Sequence, residues 1–332
     1  MRISKFLTVT IVTTAILLAG DVKGEVLIKK AKHNGLIAIP ADKSELMKLI
    51  DKKKNITPER VKLGRQLFFD TRLSLDKTIS CNTCHLLDQG GDDNVPVAIG
   101  HKGRENPHHI NSPTVYNSVF FERQFWDGRS PDVEDQAKGP MVADVEMNIT
   151  PQEAEKRIKA IPEYVKSFQK AYGKDVKITF GKIASTIGIF ERTLVTPSRY
   201  DDFLNGDLKA LTEAEQDGLA LFIETGCTAC HVGIALGGKM QPFDLSSGFE
   251  HNDIGDFKGN ENGMIKAPSL RNISQTSPYF HNGTVINLID AIKTMGKVQL
   301  LVDISDEEAK RIEIFLKSLE GRKPDTSAPK LP

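Results

Sequence analysis

A surplus of charge of either sign is missing from this 332-residue chain, in which Lys and Arg together number 44 and Asp and Glu together number 44. That balance argues against a nucleic-acid or membrane-surface partner, so docking on a charged partner must rely on a local patch. Strand alternation is missing as well, because no segment repeats apolar and polar residues with period two. Nor is there an apolar run long enough for an ordinary spanning helix; the N-terminal stretch from Phe6 to Gly20 is uncharged but too short. No short repeat occurs, and the one compositionally biased segment is the Pro/Lys-rich tail 322–332. Tryptophan occurs once, at Trp126, and cysteine only four times.

All four cysteines are used in two copies of one pentapeptide, Cys81-Asn82-Thr83-Cys84-His85 and Cys227-Thr228-Ala229-Cys230-His231. C-x-x-C-H is the pattern of covalent c-type haem attachment. Two thiols at this spacing can add to the two vinyl groups of one haem, and the next residue supplies a proximal imidazole to the iron. A thioredoxin-like couple, a structural disulfide and half of a zinc site are the competing readings of a C-x-x-C pair. The wide separation of Cys84 and Cys227 disfavours one shared zinc, since ribbon sites place their pairs roughly 15–20 residues apart. With 8 His in 332 residues, His after both pairs by chance is on the order of one in two thousand. The expectation is two covalent c-type haems.

Arg2 and Lys5 precede the Phe6–Gly20 run, and small residues at Ala19, Gly20 and Gly24 offer cleavage points. This is the pattern of a secretory signal, taken as residues 1–24. Export to the periplasm fits the cysteines, because c-type haem is attached outside the cytoplasm in bacteria.

Helical signals dominate the rest. Thr57-Pro58-Glu59 opens a helix through Phe69; Thr150-Pro151-Gln152-Glu153 is a capping box before Ala154, Ile158 and Ile161. Helical period continues over 163–172 and 180–195. A second box begins at Thr212 and its helix ends at Gly226, and a third, Ser305-Asp306-Glu307-Glu308, opens a last helix through Leu319. The stretches 86–118, 120–148, 232–265 and 268–287 have no regular period, and segments this long usually hold function. The fold expected is all-α, with two tandem cytochrome c-like domains, 25–200 and 201–320, each built around one covalently attached haem, and a tail 321–332.

Around the first pentapeptide the chain carries Gly100-His101-Lys102-Gly103, Asn111-Ser112-Pro113-Thr114-Val115-Tyr116-Asn117, Gln124-Phe125-Trp126-Asp127-Gly128-Arg129, Glu134-Asp135-Gln136-Ala137-Lys138-Gly139-Pro140 and Val145-Glu146-Met147. Beyond the second come Ala267-Pro268-Ser269-Leu270-Arg271-Asn272 and Thr276-Ser277-Pro278-Tyr279-Phe280-His281-Asn282-Gly283. In this order the blocks closely resemble the bacterial dihaem cytochrome c peroxidases, over roughly residues 56–320.

The resemblance implies that His85 is the proximal ligand of a low-potential, peroxidatic haem, with His101 as its displaceable distal ligand. Gln136 and Glu146 line the distal pocket, where a carboxylate can move the proton that O–O cleavage requires. His231 and Met295 hold the second haem, whose His/Met ligation raises its potential. Trp126 resembles the family tryptophan between the haems, and Asn111, Thr276 and Pro278 match an interdomain calcium site. Met147, Met240 and Met264 are left as packing or loop residues. His281 is placed near the second haem without ligating it, and His33, His108, His109 and His251 receive no role.

The implied activity is reduction of hydrogen peroxide to water with electrons from a small cytochrome c or blue copper protein (cupredoxin), by a homodimer. Two rivals remain: a dihaem electron-transfer cytochrome without turnover, and a protein-oxidising relative such as the dihaem maturation enzyme of methylamine dehydrogenase. Gln136 and Glu146 weigh against the first, because a carrier does not need them. Met295 weighs against the second, which has Tyr at that position.

Overall fold

The computed structural model describes residues 22–242 and 249–332. The expected signal therefore lies almost wholly outside the described residues. In the first part of the chain come α1 (22–33), α2 (Lys43–Asp51), α3 (Pro58–Phe68), the one-turn α4 (Cys81–Cys84), α5 (Val133–Gln136) and α6 (Lys138–Val142). They are followed by α7 (Pro151–Lys159), α8 (Pro162–Tyr172), α9 (Phe180–Glu191) and α10 (Arg199–Leu204). The last part holds α11 (Glu213–Glu224), β1 (Met240–Pro242), β2 (Met264–Lys266), α12 (Leu288–Met295) and α13 (Asp306–Lys317).

The helix starts follow from local chemistry. Thr57 and Thr150 accept from the backbone N–H three residues on, at 3.4 and 3.2 Å, and so satisfy donors that the first helical turn leaves open. Before α11 the box is reciprocal: Glu215 N–H donates to Thr212 at 3.3 Å while Thr212 N–H donates to the Glu215 carboxylate at 2.8 Å. Ser305 and Glu308 repeat this before α13. The expected helix over 180–195 stops at Glu191, where Thr193 N–H turns back to Phe190.

Two helix pairs cross in the same manner. α3 meets α9 at Gly64, where a Cβ would lie 2.2 Å from the Thr186 carbonyl; α11 meets α13 at Gly218, where it would lie 2.2 Å from the Arg311 carbonyl. Each pair carries its own apolar core. Leu63, Leu67, Phe68, Phe168 and Ile187 belong to one, and Leu219, Phe222, Ile312 and Phe315 to the other. Leu27, Ile28 and Ala31 of α1 pack into the second of these cores, far along the chain from their own position.

Between the cores, Asn117 and Asn272 both adopt left-handed backbone, at φ 61° and 60°. Their side-chain amides both donate to the hydroxyl of Thr196 at 2.8 Å. Close by, the fully buried Arg271 grips Asp201 through two bonds of 2.8 and 2.7 Å. Asp201 also accepts from Ile39 N–H at 2.7 Å. The tail runs back over α3, with Arg65 on Asp325 at 2.6 Å and Gln66 donating to the Lys330 carbonyl at 2.9 Å.

The expectation of no strand is corrected by the antiparallel β1–β2 pair, in which Met240 faces Lys266 and Pro242 faces Met264. With three residues each, the strands are too short to show a period. The molecule is otherwise helical, and none of its described helices is long and apolar enough to cross a membrane.

Candidate functional site

Each pentapeptide folds as a single turn whose cysteines and histidine are half-buried. Ser80 and Thr83 form a capping box at the start of α4, and His85 N–H donates to the Cys81 carbonyl at 3.0 Å. In the second copy Gly226, at φ 94°, ends α11 and starts a 3-10 turn over Cys227–Ala229; His231 N–H donates to the Cys227 carbonyl at 3.0 Å. His231 Nδ1 lies 3.1 Å from the Leu236 carbonyl, which can only accept, so Nδ1 carries the proton and Nε2 keeps its lone pair. Burial lowers the affinity of both imidazoles for a second proton, which suits metal ligation.

The bland readings of the cysteines do not fit this geometry. All four thiols are unpaired. Burial pushes Cys84 up to about 12 and Cys227 up to about 11, and raises Cys81 and Cys230 in the same sense, the reverse of an activated redox thiolate. Among the described residues no group of three or more His, Cys, Asp or Glu side chains is gathered as a zinc site needs.

One largely apolar cavity is lined by Cys227, Cys230, His231 and Met295 together. Two thiols, an imidazole with a free Nε2 and a thioether around one cavity are the donor set a c-type haem requires, so the residues fit that group. Asn111, Thr276 and Pro278 line the same cavity, as do Trp126 and His281. The structure thus gathers residues that lie far apart in the chain. Asn111 Nδ2 donates to the Val95 carbonyl at 2.9 Å.

Trp126 is buried and tied on three sides. Its indole N–H donates to the Asn111 carbonyl at 3.0 Å, and its ring meets the His281 imidazole edge to face at 6.3 Å. Its carbonyl accepts from Lys266 N–H at 2.8 Å.

Near the first pentapeptide, His101 is only 4 % exposed and its Nδ1 stands 2.9 Å from the Asp76 carboxylate. Its backbone N–H donates to the Glu146 carbonyl at 2.7 Å. Burial raises the Glu146 carboxyl above the usual range, opposed by Arg129. The same carboxylate is felt electrostatically by Cys84, which places it by the first motif. Gln136 closes α5 and is half-buried; no side-chain hydrogen bond joins it to Glu146 or His101.

Three residues here escaped sequence reasoning. Asp76 holds Thr78 and faces His101, with its carboxyl drawn down to about 2 chiefly by the Thr78 hydrogen bond. Glu191 is buried beside Cys81, and Lys266 is buried on the wall of the second cavity. Only Lys266 had a signal, its place just before the Ala267–Asn272 block.

Comparison with known proteins agrees with these features. The family model for di-haem cytochrome c peroxidase matches residues 58–209. The cytochrome c551 peroxidase of Pseudomonas aeruginosa is 44 % identical over 289 residues, covering 83 % of each chain. That of Nitrosomonas europaea is 43 % identical over 290 residues, covering 84 % of this chain and 86 % of the other. The methylamine utilization protein MauG of Methylorubrum extorquens is 31 % identical over 303 residues. Among solved structures, a MauG-like protein associated with microbial copper homeostasis superposes with a TM-score of 0.72 at 28 % identity, covering 84 % of this chain and 95 % of that one. Two cysteine–histidine turns, a cavity shared by His231 and Met295, and relatives matched over most of their length place this chain in the bacterial dihaem cytochrome c peroxidase family.

Proposed function

We propose that the chain is a dihaem cytochrome c peroxidase that reduces hydrogen peroxide to two waters, taking two protons and two electrons, the latter one at a time from a small redox protein. The observation that carries this is the backbone bond between His101 and Glu146, which ties a displaceable histidine to a carboxylate beside the first motif. A pure carrier has no use for that arrangement. When bound, the haems supply the iron that takes up peroxide and the store that holds the electron.

The chain's own residues divide the remaining work. Cys81, Cys84 and His85 would hold the first haem, and Cys227, Cys230, His231 and Met295 the second. His101 would be the displaceable ligand of the first haem and would give way on activation. Glu146 then takes a proton from the near oxygen of peroxide and returns one to the leaving oxygen, with raised proton affinity suited to that exchange. Gln136 would orient the peroxide by hydrogen bonding, and Trp126, on the wall of the second cavity, would serve electron passage toward the first haem.

The matching Gly64 and Gly218 crossings, each with its own core, support a reading as two tandem cytochrome c-like units. A calcium ion held by the Asn111 side-chain oxygen and the carbonyls of Thr276 and Pro278 would bind at the seam between them. A periplasmic location and a cytochrome c or cupredoxin donor complete the reading. The presence of Met295 on the second cavity favours the peroxidase over a protein-oxidising relative.

The test is peroxide turnover with a reduced donor, on enzyme prepared fully oxidised and half reduced, together with a haem count by pyridine haemochrome. Two haems with turnover in either state support the reading. Two haems that exchange electrons without turnover would reduce the protein to a carrier.

A further inference from the structure

Lys266 is 2 % exposed and lines the cavity shared by His231 and Met295. Its ammonium makes no ion pair or hydrogen bond among the described residues; it lies over the face of Phe121, 4.7 Å from the ring centroid. Its position is fixed from both sides, because its N–H donates to the Trp126 carbonyl at 2.8 Å and it ends the β2 strand opposite Met240. The anion that acts on it is Asp127, whose two carboxylate oxygens are each 3.0 Å from Arg129.

An ammonium out of water is costly unless an anion faces it, and a single aromatic face offsets only part of that cost. Burial drives the lysine down to about 7, and Asp127 only partly opposes this. The walls of this cavity are otherwise largely apolar, and a haem brings two carboxylates of its own.

We propose that Lys266 receives a propionate carboxylate of the second haem on the Trp126 side of the cavity, and that this pairing raises the reduction potential of that haem. The proposal rests on the reading of His231 and Met295 as the ligands of that haem. A fixed positive charge beside the group stabilises its electron-rich, reduced form more than its oxidised form. It thus adds to the effect of the thioether ligand in making this the electron store. The pairing would also seat the carboxylate beside Lys266, whose backbone is bonded to that of Trp126.

The test uses the full holoprotein and the variants Lys266→Met, Lys266→Arg and, as a surface control, Lys239→Met. Spectroelectrochemistry reads the midpoint of the second haem, resonance Raman reads the propionate bending mode, and pyridine haemochrome counts haems. Lys266→Met is expected to keep two haems, to change the ferric-to-ferrous ratio at a fixed potential about tenfold toward ferric, which is about 59 mV for one electron, and to shift the propionate mode. Lys266→Arg should restore most of both, and Lys239→Met should change neither. A Lys266→Met protein with two haems, the parent midpoint and the parent propionate mode overturns the proposal. If Lys266→Met loses its second haem, Lys266→Arg decides: a parent-like midpoint supports the pairing and a fully lowered one overturns it. Absence of a methionine-to-iron charge-transfer band in the parent would instead bring down the ligand reading, and the proposal with it.

Discussion

The backbone N–H of His101 donates to the carbonyl oxygen of Glu146 at 2.7 Å, so the loop that carries the proposed displaceable histidine is fastened to the residue proposed to handle the proton. The contact is tight at the next residue too. A Cβ on Gly100 would fall 1.7 Å from the Val145 carbonyl, a distance no side chain can occupy.

Gly100→Ala should therefore force the two segments apart and displace His101. In the oxidised protein the first haem is expected to shift from low-spin toward high-spin, as read by electron paramagnetic resonance, and the need for prior reduction should diminish. An unaltered spin state would show that this contact does not hold the histidine in place.

Glu146→Gln keeps size and removes the carboxylate proposed to handle the proton. Loss of general acid–base help should lower peroxide turnover roughly 10²–10⁴-fold, while both haem spectra and electron entry stay near those of the parent. Turnover within threefold of the parent would assign the proton transfer to another group. Loss of haem content would give Glu146 a structural role.

What the sequence disclosed was local. Thr57, Thr150, Thr212 and Ser305 mark helix starts because their hydroxyls bond backbone three residues away, and the cysteine turns are complete within five residues. By the same logic α2 was within reach, since Asp42 accepts from Glu45 N–H at 2.9 Å and the spacing stands in the sequence. The β1–β2 pair joins segments more than twenty residues apart and is too brief to show alternation. Burial of charged groups was hidden for another reason. Lys266 and Glu191 lie in neighbourhoods made by segments remote in the chain, and apart from the place of Lys266 just before the Ala267–Asn272 block nothing in their own flanks marks them as buried.

Arg271 and Asp201 form a pair at 0 % and 1 % side-chain exposure, with Asp201 also bonded to the backbone of Ile39 and Ser198. Removing one partner leaves the other charge buried and uncompensated. Arg271→Met is expected to cost about 3–5 kcal/mol of unfolding free energy, measured by urea denaturation. A loss below 1 kcal/mol would mean that the carboxylate finds another partner or takes up a proton. Replacing both residues, Asp201→Leu with Arg271→Met, should recover part of the loss, because no orphaned charge remains.

Glu191 gives the protein a pH dependence of definite sign. Burial, with the nearby Glu134 carboxylate, pushes its carboxyl from the ordinary value near 4.5 up to about 8, and Arg192 only partly opposes this. Between those values the folded protein binds a proton that the unfolded chain has released. Stability from this group is therefore complete below about 4.5 and is lost as pH rises through about 8. The slope reaches at most about 1.4 kcal/mol per pH unit for one proton. Glu191→Gln keeps the neutral shape and removes the titration. Urea midpoints at pH 5 and pH 8 should then fall in the parent by more than in the variant, with the two proteins most alike at the acid end. Equal falls in both would mean that Glu191 is ionised in the folded protein, with Arg192 rather than burial setting its proton affinity.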